Sequence, residues 1–510
     1  MKLIFRNADV ITMDAARPRA QAVLVDDGRV VTVGSDAEVL ALKGGGASLV
    51  DCRGGTLLPA FIDAHCHLLS YAAYLLSLDC SPSAVSSIAD IQRALRLRAA
   101  DTPPGRWIRA VGYDETELAE RRHPTRRDLD AAAAAHPVRL IHRTGHASVL
   151  NSLALSLAGI DTTTAEPPGG YLDRDLPSGE PSGLLVEMNE LIDAAVPALT
   201  YDELAAGVRQ ANDVLLSQGV TAVQDATAAN GPAEWVTFQR LIEDGSLDVS
   251  VTLMEGLPAL GQLPEEALSG RLRRGPVKIA VKELGDAIEP DEKRLAALVW
   301  QAHSLGRQVA IHAVGKRAVA AAVAAIEAAL RRRPRPDHRH RIEHCGICPP
   351  ELAARIAAQG VAVVTQPSFL YFSGERYLAQ VHDLPDLYPL RRLHRLGVRL
   401  AAGSDAPVVP PRPLVGIQSA VSRLSQGGSR LNCDEALDAG EALRLHTDSA
   451  AWVAFQEAER GSIAPGKIAD LVLLSNDPTT VPGDEIADLE VDMTIARGHV
   501  VWPPRPPESS

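Results

Sequence analysis

The fold is decided by residues 56–68, Thr-Leu-Leu-Pro-Ala-Phe-Ile-Asp-Ala-His-Cys-His-Leu, in which a short apolar run ends in two histidines. Residues i and i+2 of a β-strand point to the same side. His65 and His67 therefore present two imidazoles together at the end of one strand, an arrangement that suits a divalent metal ion. The pair alone is a weak signal, because the chain has 15 His and a second His-x-His, His338 and His340, lies in an Arg-rich segment that we interpret as a solvated loop.

Composition and charge restrict the class of protein. The chain has 510 residues, of which 46% are hydrophobic and 23% are charged, as is typical of a globular protein. Its formal net charge of -13 argues against nucleic acid or an anionic membrane as a partner. The first residues lack the apolar core of a signal peptide, and no apolar stretch is long enough to span a bilayer. We therefore expect a cytoplasmic protein that acts on a small molecule, and leave homo-oligomerisation open.

The six cysteines are too sparse for a disulfide framework. Cys345 and Cys348 form one Cys-x-x-Cys pair, but no second pair completes a zinc site. We expect buried or incidental thiols in a reducing compartment.

Both ends of the chain have the sequence pattern of short β-strands joined by turns. Residues 1–55 read as short strands with turns, and Asp27-Gly28 between two apolar runs predicts a hairpin. Residues 461–474 and 491–502 show the same alternation of apolar runs and turns. We predict one β-sandwich composed of residues 1–55 and 456–502, followed by a disordered tail at 503–510.

Residues 56–455 alternate strand and helix patterns. Eight short apolar runs are predicted as strands, at residues 56–63, 220–225, 249–254, 277–282, 309–313, 340–344, 361–366 and 398–404. Helical patterns such as 291–305 and 316–331 lie between them. Eight such units predict an α/β fold, a (β/α)8 TIM-like barrel with its site at the carboxyl ends of the strands. Residues from about 70 to 215 carry helices (89–100, 201–218) and a strand (138–142) of their own, and we interpret them as an insertion over the barrel mouth.

Polar residues of metal-binding type follow several of these strands in order. They are His65 and His67 on strand one, Lys278 and Lys282 on strand four, His312 on strand five, His344 on strand six and Asp405 after strand eight. Each has an ordinary structural explanation; Asp405, for example, could cap a helix. Their shared position at one end of the predicted barrel makes chance a poor explanation for the whole set.

The order of these motifs resembles the amidohydrolase superfamily of metal-dependent hydrolases, and in particular the amidohydrolase-3 (YtcJ-like) group with its N-substituted formamide deformylases. The resemblance spans nearly the whole chain, through the segments 58–67, 341–344, 402–407 and 463–472. Within the insertion, residues 112–114, 124–130 and 145–147 are also similar to that group. It implies the same barrel and composite sandwich.

The resemblance also implies a ligand set and a mechanism. His65, His67 and Asp405 would hold one divalent metal, and His312 and His344 a second. Lys278, carboxylated by CO2, would bridge them, with Lys282 as its rival on the same face. Zinc suits these ligands, with manganese or iron as alternatives. Hydroxide formed at the metals would attack a carbonyl and break an amide, formamide or cyclic-amide C–N bond, with Asp405 moving the proton. His146 would contact the substrate carbonyl; its alternative is a loop-packing role.

Three other functions are compatible with the sequence. A deaminase of this superfamily typically carries Glu three residues after the strand-five histidine, where this chain has Gly315. A lactonase or esterase would use the same hydroxide. A non-catalytic barrel, as in the dihydropyrimidinase-related group, would have lost ligands that this chain keeps. The chain also departs from the group's Lys-x-x-x-Asp-Gly pattern at residues 278–283, so no substrate contact is carried over from there.

Overall fold

A computed structural model describes residues 2–44, 46–167, 169–267 and 269–503. The chain forms two compact units, one of residues 1–68 with 212–510 and the other of residues 69–211. Residues 504–510 of the predicted disordered tail lie outside the described residues. No helix in the described ranges combines the length and the apolar character needed to cross a membrane.

The first unit contains a barrel of eight parallel strands, as predicted. The strands are hydrogen-bonded to one another in chain order. They are Phe61–Cys66, Val220–Asp225, Ser250–Gly256, Leu272–Ala280, Val309–Ala313, Arg341–His344, Ala362–Thr365 and Leu400–Ala402. Parallel pairing places the carboxyl ends of all eight strands at one edge, where an active site is expected.

An α-helix follows each barrel strand from the second onward except the third, after which only a 3-10 turn, Leu257–Ala259, precedes the fourth strand, so the predicted alternation is broken there. Further helices follow the eighth strand. The α-helices from the second strand onward are Pro232–Glu243, Glu292–Ser304, Lys316–Arg332, Pro350–Ala358, Ser368–Gln380, Leu390–Arg395, Pro413–Ser422, Ala439–Leu445 and Asp448–Trp452. Their ends follow local capping chemistry: Asp291, for example, accepts a hydrogen bond from the backbone N–H of Arg294 and fixes the start of its helix.

The prediction that residues 56–63 form one barrel strand is wrong. Thr56–Pro59 pairs antiparallel with Leu471–Leu474 and belongs to the sandwich. The partner changes at the next two residues: Ala60 N–H donates to Asp470, and Phe61 N–H donates to Gly219. The apolar run is continuous in sequence because both halves are buried, although they lie in different sheets.

The barrel closes between its first and eighth strands through side-chain and irregular backbone contacts. Buried Asp63 accepts hydrogen bonds from the backbone N–H groups of His65 (3.1 Å) and Ser404 (3.0 Å). Asp405 N–H donates to the carbonyl of His65 at 2.7 Å. Gly403 lies so close that a Cβ there would be 2.4 Å from the nitrogen of His65, so only glycine fits. The seam thus brings His65 and Asp405 together.

The sandwich has strands from both termini, as predicted. Its four-stranded sheet contains Leu3–Arg6, Ala22–Asp26, Arg29–Gly34 and Ser48–Asp51. Its six-stranded sheet contains Asp9–Ile11, Arg19–Ala20, Thr56–Pro59, Leu471–Leu474, Val491–Ala496 and His499–Trp502. Apolar side chains from both sheets form one buried core. The Asp27-Gly28 hairpin is present, with Asp26 paired to Arg29.

The unit of residues 69–211 has its own sheet and core. The sheet contains Leu78–Asp79, Ile108–Tyr113, Val138–His142, Ala147–Leu150, Tyr171–Arg174 and Pro181–Val186. The helices are Leu68–Leu76, Ile88–Ala100, Arg126–Ala133, Ser152–Leu157 and Asn189–Asp193, and Tyr201–Ser217 begins in this unit.

Candidate metal centre

Three predicted ligands meet at the barrel seam. The Asp405 Oδ1 atom lies 3.1 Å from His67 Nε2 and 3.5 Å from His65 Nε2. Burial opposes the charge of Asp405, but the hydrogen bond to His67 and the nearby imidazoles outweigh it, so the pKa of Asp405 lies below its usual value. Asp405 caps no helix, because the next α-helix begins only at Pro413. Its carboxylate is directed at the histidines instead.

The histidines of strands five and six form a second pair beside the first. His344 Nε2 and His312 Nδ1 lie 2.8 Å apart. The rings of His65 and His344 have centroids 4.8 Å apart, and ligand atoms of His65, His344 and Asp405 all lie within 4.8 Å of one another. Two ring nitrogens that face each other at such a distance need a shared proton or a shared cation. The donors of the predicted first and second positions are therefore contiguous.

Hydrogen bonds to the outer ring nitrogens select which nitrogen of each histidine faces the centre. His67 Nδ1 contacts the Thr227 hydroxyl at 3.0 Å, and His344 Nδ1 contacts Gln366 Oε1 at 2.7 Å. His65 Nδ1 contacts the Glu343 carboxylate. Each contact leaves Nε2 to point inward, as occurs when a metal-binding imidazole is oriented by a partner on its other nitrogen.

Burial favours the neutral form of His65, His312 and His344, which is the form that a metal requires. It lowers the pKa of His65 well below its usual value and that of His312 to about 2. A neutral imidazole offers a lone pair, whereas imidazolium does not. The donor set of neutral imidazoles and one ionised carboxylate therefore fits a divalent metal such as zinc.

The residues that orient the centre were missed in the sequence. Glu343 directly precedes His344 and is fully buried, and its carboxylate accepts from Arg341 Nε at 2.5 Å. Arg341, also fully buried, donates to Gln224 Oε1 at 2.5 Å and to the carbonyl of Ala64 at 3.0 Å. The sequence offered one sign of this arrangement. Alternate residues of a strand lie on the same face, so Arg341 and Glu343 share one face of a strand that has apolar surroundings.

The structure separates the two candidate lysines. Lys278 is buried on the fourth barrel strand, and its Nζ lies 3.5 Å from His65 Nε2. Burial lowers the pKa of its amine to about 8. Lys282 is exposed on a separate hairpin, Lys282–Leu284 paired with Ala287–Glu289. The strand ends at Ala280, so the sequence prediction of one strand over 277–282 is wrong, and the face shared by the two lysines is lost.

Two of the predicted ligands sit on strained backbone. His344 has φ 70° and Asp405 has φ 60°, in the left-handed region that residues other than glycine rarely adopt. Such conformations cost about 1–3 kcal/mol each and concentrate at functional sites. The neighbouring contacts, including the Asp405 N–H bond to His65, hold Asp405 in this conformation.

The second His-x-His is buried, so the prediction of a solvated loop is wrong. His340 Nε2 contacts His303 Nδ1 at 2.8 Å, and His340 Nδ1 accepts from the backbone N–H of Val309. His338 Nε2 contacts the carbonyl of Gln359 at 2.9 Å. The two histidines lie at the amino-terminal end of the sixth strand, and the ring nitrogens named above all have protein hydrogen-bond partners. The pair therefore has a structural role in packing.

His146 lies in the unit of residues 69–211 and is largely exposed. Its Nδ1 pairs with Glu187 Oε1 at 2.5 Å, across neighbouring strands. The same unit contains a separate group of acidic and imidazole side chains, in which His142 Nε2 lies 2.9 Å from Glu115 Oε2 and Arg143 pairs with Asp114 at 3.2 Å. Arg143 balances the acidic charge there, and this group is explained by its own ion pairs.

Comparison with known proteins identifies the family. Residues 48–502 match the profile described as Amidohydrolase family. The chain is 32% identical to an N-substituted formamide deformylase of Arthrobacter pascens, with 97% of each chain covered. It is 30% identical to the putative amidohydrolase YtcJ of Bacillus subtilis, covering 98% of this chain and 99% of that one.

The chain belongs to the amidohydrolase family. The fold agrees: the crystal structure of an uncharacterized metal-dependent hydrolase from Pyrococcus horikoshii superposes with a TM-score of 0.77, at 23% identity, over 95% of this chain and 99% of that chain. The resemblance stated from the sequence is thus confirmed. This amidohydrolase is an enzyme that hydrolyses carbon–nitrogen bonds other than peptide bonds, and the converging donors support a divalent metal.

The amidohydrolase lacks the arrangement expected of the deaminase alternative. Gly315 begins the helix Lys316–Arg332, and the space that its side chain would fill is taken by Glu283, whose carboxylate would lie within 2.6 Å of a Cβ. Glu283 Oε1 accepts a hydrogen bond from the backbone N–H of Ala318 at 2.7 Å. The Glu283 carboxylate beside this position is therefore engaged in capping a helix.

Proposed function

We propose that this amidohydrolase hydrolyses the C–N bond of a small N-formyl, N-acyl or cyclic amide. The observation that carries the proposal is the convergence of inward-facing imidazole nitrogens on the Asp405 carboxylate, with the outer nitrogen of each of His65, His67 and His344 already engaged. The amide class is favoured by the 32% identity to the formamide deformylase.

The ligands divide into two positions. His65, His67 and Asp405 would hold one divalent ion, and His312 with His344 a second. The buried amine of Lys278 is the candidate bridge, because as a CO2-derived carbamate it would offer two oxygens in place of a cation. A bound divalent ion would polarise the substrate carbonyl and lower the pKa of water to about 7.

Asp405 carries the proton transfer in this proposal. Its ionised carboxylate accepts a proton from the attacking water and donates it to the departing nitrogen, while the carbonyl C–O bond forms and the C–N bond breaks. The products are a carboxylate and an amine. Glu343 contacts His65 on the side away from Asp405 and keeps the imidazole oriented during this step.

His146 is proposed as a contact of the substrate carbonyl. Its exposed imidazole is held by Glu187 through Nδ1, and Nε2 would donate a hydrogen bond to the carbonyl when the ring carries both protons. Replacing His146 with Ala should raise KM or lower kcat while metal content stays unchanged. The exposed His382, outside the unit of residues 69–211, provides the control substitution. Kinetics of His146→Ala equal to those of His382→Ala would return His146 to a packing role.

A substrate screen tests the proposed function. Metal-replete protein is assayed with panels of N-formyl amides, N-acyl amides, cyclic amides, lactones and aminated heterocycles, following release of amine, acid or ammonia. Turnover of the amide panels, lost in a His65→Ala variant whose metal content has fallen, is expected. Turnover confined to lactones or to ammonia release would contradict the proposal, as would full activity in verified metal-free protein.

A further inference from the structure

A cavity of about 410 Å³ lies where the sandwich meets the amino-terminal side of the fourth barrel strand, within the first unit. Two hairpin turns of the sandwich, Asp27-Gly28 and Arg497-Gly498, form one wall, and the segment before the strand Leu272–Ala280 forms another. The turns are in direct contact, since a Cβ on Gly28 would be 2.8 Å from the carbonyl oxygen of Arg497. The volume is in the range of small-molecule sites.

The lining of this cavity is cationic, although the chain as a whole is acidic. Arg29, Arg271 and Arg497 line it together with His499, and Asp27 is the one acidic side chain among the lining residues. Throughout the described ranges, neither Arg29 nor Arg497 takes part in an ion pair; the guanidinium of Arg29 donates only to the carbonyl of Gly466, at 2.7 Å. Of the three arginines, only Arg271 has an ion-pair partner among the described residues, Asp248 Oδ1 at 3.9 Å, so Arg29 and Arg497 leave an excess of positive charge beside Asp27.

Arg271 is fixed in place next to Arg497. Its guanidinium donates to the carbonyl of Ile242 at 2.7 Å and to that of Asp248 at 3.4 Å. Burial lowers the pKa of Arg271; the carboxylate of Asp248 opposes this effect, and the charge of Arg497 adds to it. The like charges of Arg271 and Arg497 repel each other, and an anion bound in the cavity would reduce that repulsion.

Arg497 also occupies a backbone position that disfavours arginine. Ala496 pairs with His499, so Arg497 and Gly498 form a two-residue hairpin turn, with φ 50° and 77°. Such turns strongly prefer Asn-Gly or Asp-Gly, because both central residues need positive φ. A non-glycine residue is disfavoured in this region. The equivalent turn at Asp27-Gly28 has the preferred residue, so an Asn at position 497 would suit the turn as well as or better than Arg.

We propose that this cavity binds a small phosphate-bearing anion, separately from the metal centre. Guanidinium groups match phosphate oxygens with paired hydrogen bonds. The anion would join residues 27–29, 269–271 and 497–499, which come from the amino-terminal sandwich strands, the barrel and the carboxyl-terminal strands. Because none of the lining residues is a candidate metal ligand, the proposed anion site does not depend on the proposed hydrolysis.

Calorimetric titration with inorganic pyrophosphate tests the proposal. The metal-loaded protein is compared with Arg497→Asn, which removes the cation and keeps a residue suited to the turn. The control is Arg53→Asn: Arg53 has φ 54°, precedes Gly54 in a turn of the same sandwich, and does not line the cavity. Arg497→Asn should weaken pyrophosphate binding about tenfold or more, as expected for loss of a charge-assisted contact. Arg53→Asn should bind as the wild type does.

Two calorimetric results would overturn the proposal. One is the absence of binding heat at millimolar pyrophosphate in the wild type. The other is equal affinity in the wild type, Arg497→Asn and Arg53→Asn, which would assign the heat to the metal centre. Thermal melting gives an independent readout, because an anion that binds the folded state raises Tm. Pyrophosphate should raise Tm in the wild type and in Arg53→Asn, and less in Arg497→Asn; an equal rise in all three would also refute the site.

Discussion

Replacement of Asp405 with Asn separates a role in proton transfer from a structural role. Asn has nearly the same size and keeps an oxygen at the position that lies 3.1 Å from His67 Nε2, but it does not take up a proton. Its backbone cost is small, because Asn is one of the residues enriched at positive φ, where Asp405 sits at 60°. No helix cap is lost, since the following helix begins at Pro413. The variant should therefore fold.

The size of the effect follows from the chemistry. Removing a positioned acid–base group typically slows a reaction about 10²–10⁴-fold. The assay measures kcat on an amide substrate beside metal content and Tm. Asp477→Asn is the control, because Asp477 is a buried carboxylate of the sandwich that accepts from Thr479 and pairs with Arg19. It should lower Tm slightly and leave kcat unchanged. Folded, metal-loaded Asp405→Asn with wild-type kcat would refute the role in proton transfer.

Three further predictions follow from the buried charges. Lys278→Ala should lose metal and activity, while Lys282→Ala keeps both. The reverse result would assign the bridging role to Lys282, and equal retention of metal and activity in both variants would mean that there is no carboxylated lysine bridge. Glu343→Gln should weaken metal binding about 10–100-fold in chelator competition, whereas Glu255→Gln, at a buried Glu–Arg pair away from the centre, should cost stability only; equal metal affinity in both variants would leave Glu343 a packing role. Burial lowers the pKa of His446 to about 4, so the native state keeps this side chain neutral while the unfolded chain takes up a proton below about pH 6.5. Its stabilising effect is present above that pH and is lost as the pH falls toward 4, so the urea midpoint should drop less between pH 7 and 5 in His446→Gln than in the wild type; an unchanged pH dependence would contradict this.

The fold was predictable because the barrel strands are short apolar runs separated by helical patterns. Runs such as 220–225 and 309–313 matched the observed strands residue for residue. The strand at 56–63 was not divided correctly, since nothing in a continuous apolar run reveals that its halves pair with different sheets. The exposure of Lys282 was not predictable either. The alternation of faces applies only to residues within one strand, and this strand ends at Ala280.

The sequence predicted the candidate ligands that the structure brings together, but it did not reveal the buried residues that support them. His65, His67 and Asp405 follow strands in an order that is readable in the sequence. Arg341 and Glu343 look like surface residues by type, because charged side chains are rarely buried unless paired. Only the folded structure shows that they neutralise each other inside the barrel. The burial of His338 was missed for the same reason, since its Arg-rich neighbours suggested solvent.

The seam between the first and eighth barrel strands sets the order in which the centre can be assembled during synthesis. His65 and Asp63 leave the ribosome early, whereas Ser404 and Asp405, their partners across the seam, are among the last barrel residues to be translated. Until then, a nascent chain has the paired imidazoles of strand one without the carboxylate that completes their position. Metal loading is therefore expected only after translation of the barrel is nearly finished, and chains truncated before Asp405 should carry histidines that bind metal weakly and catalyse nothing.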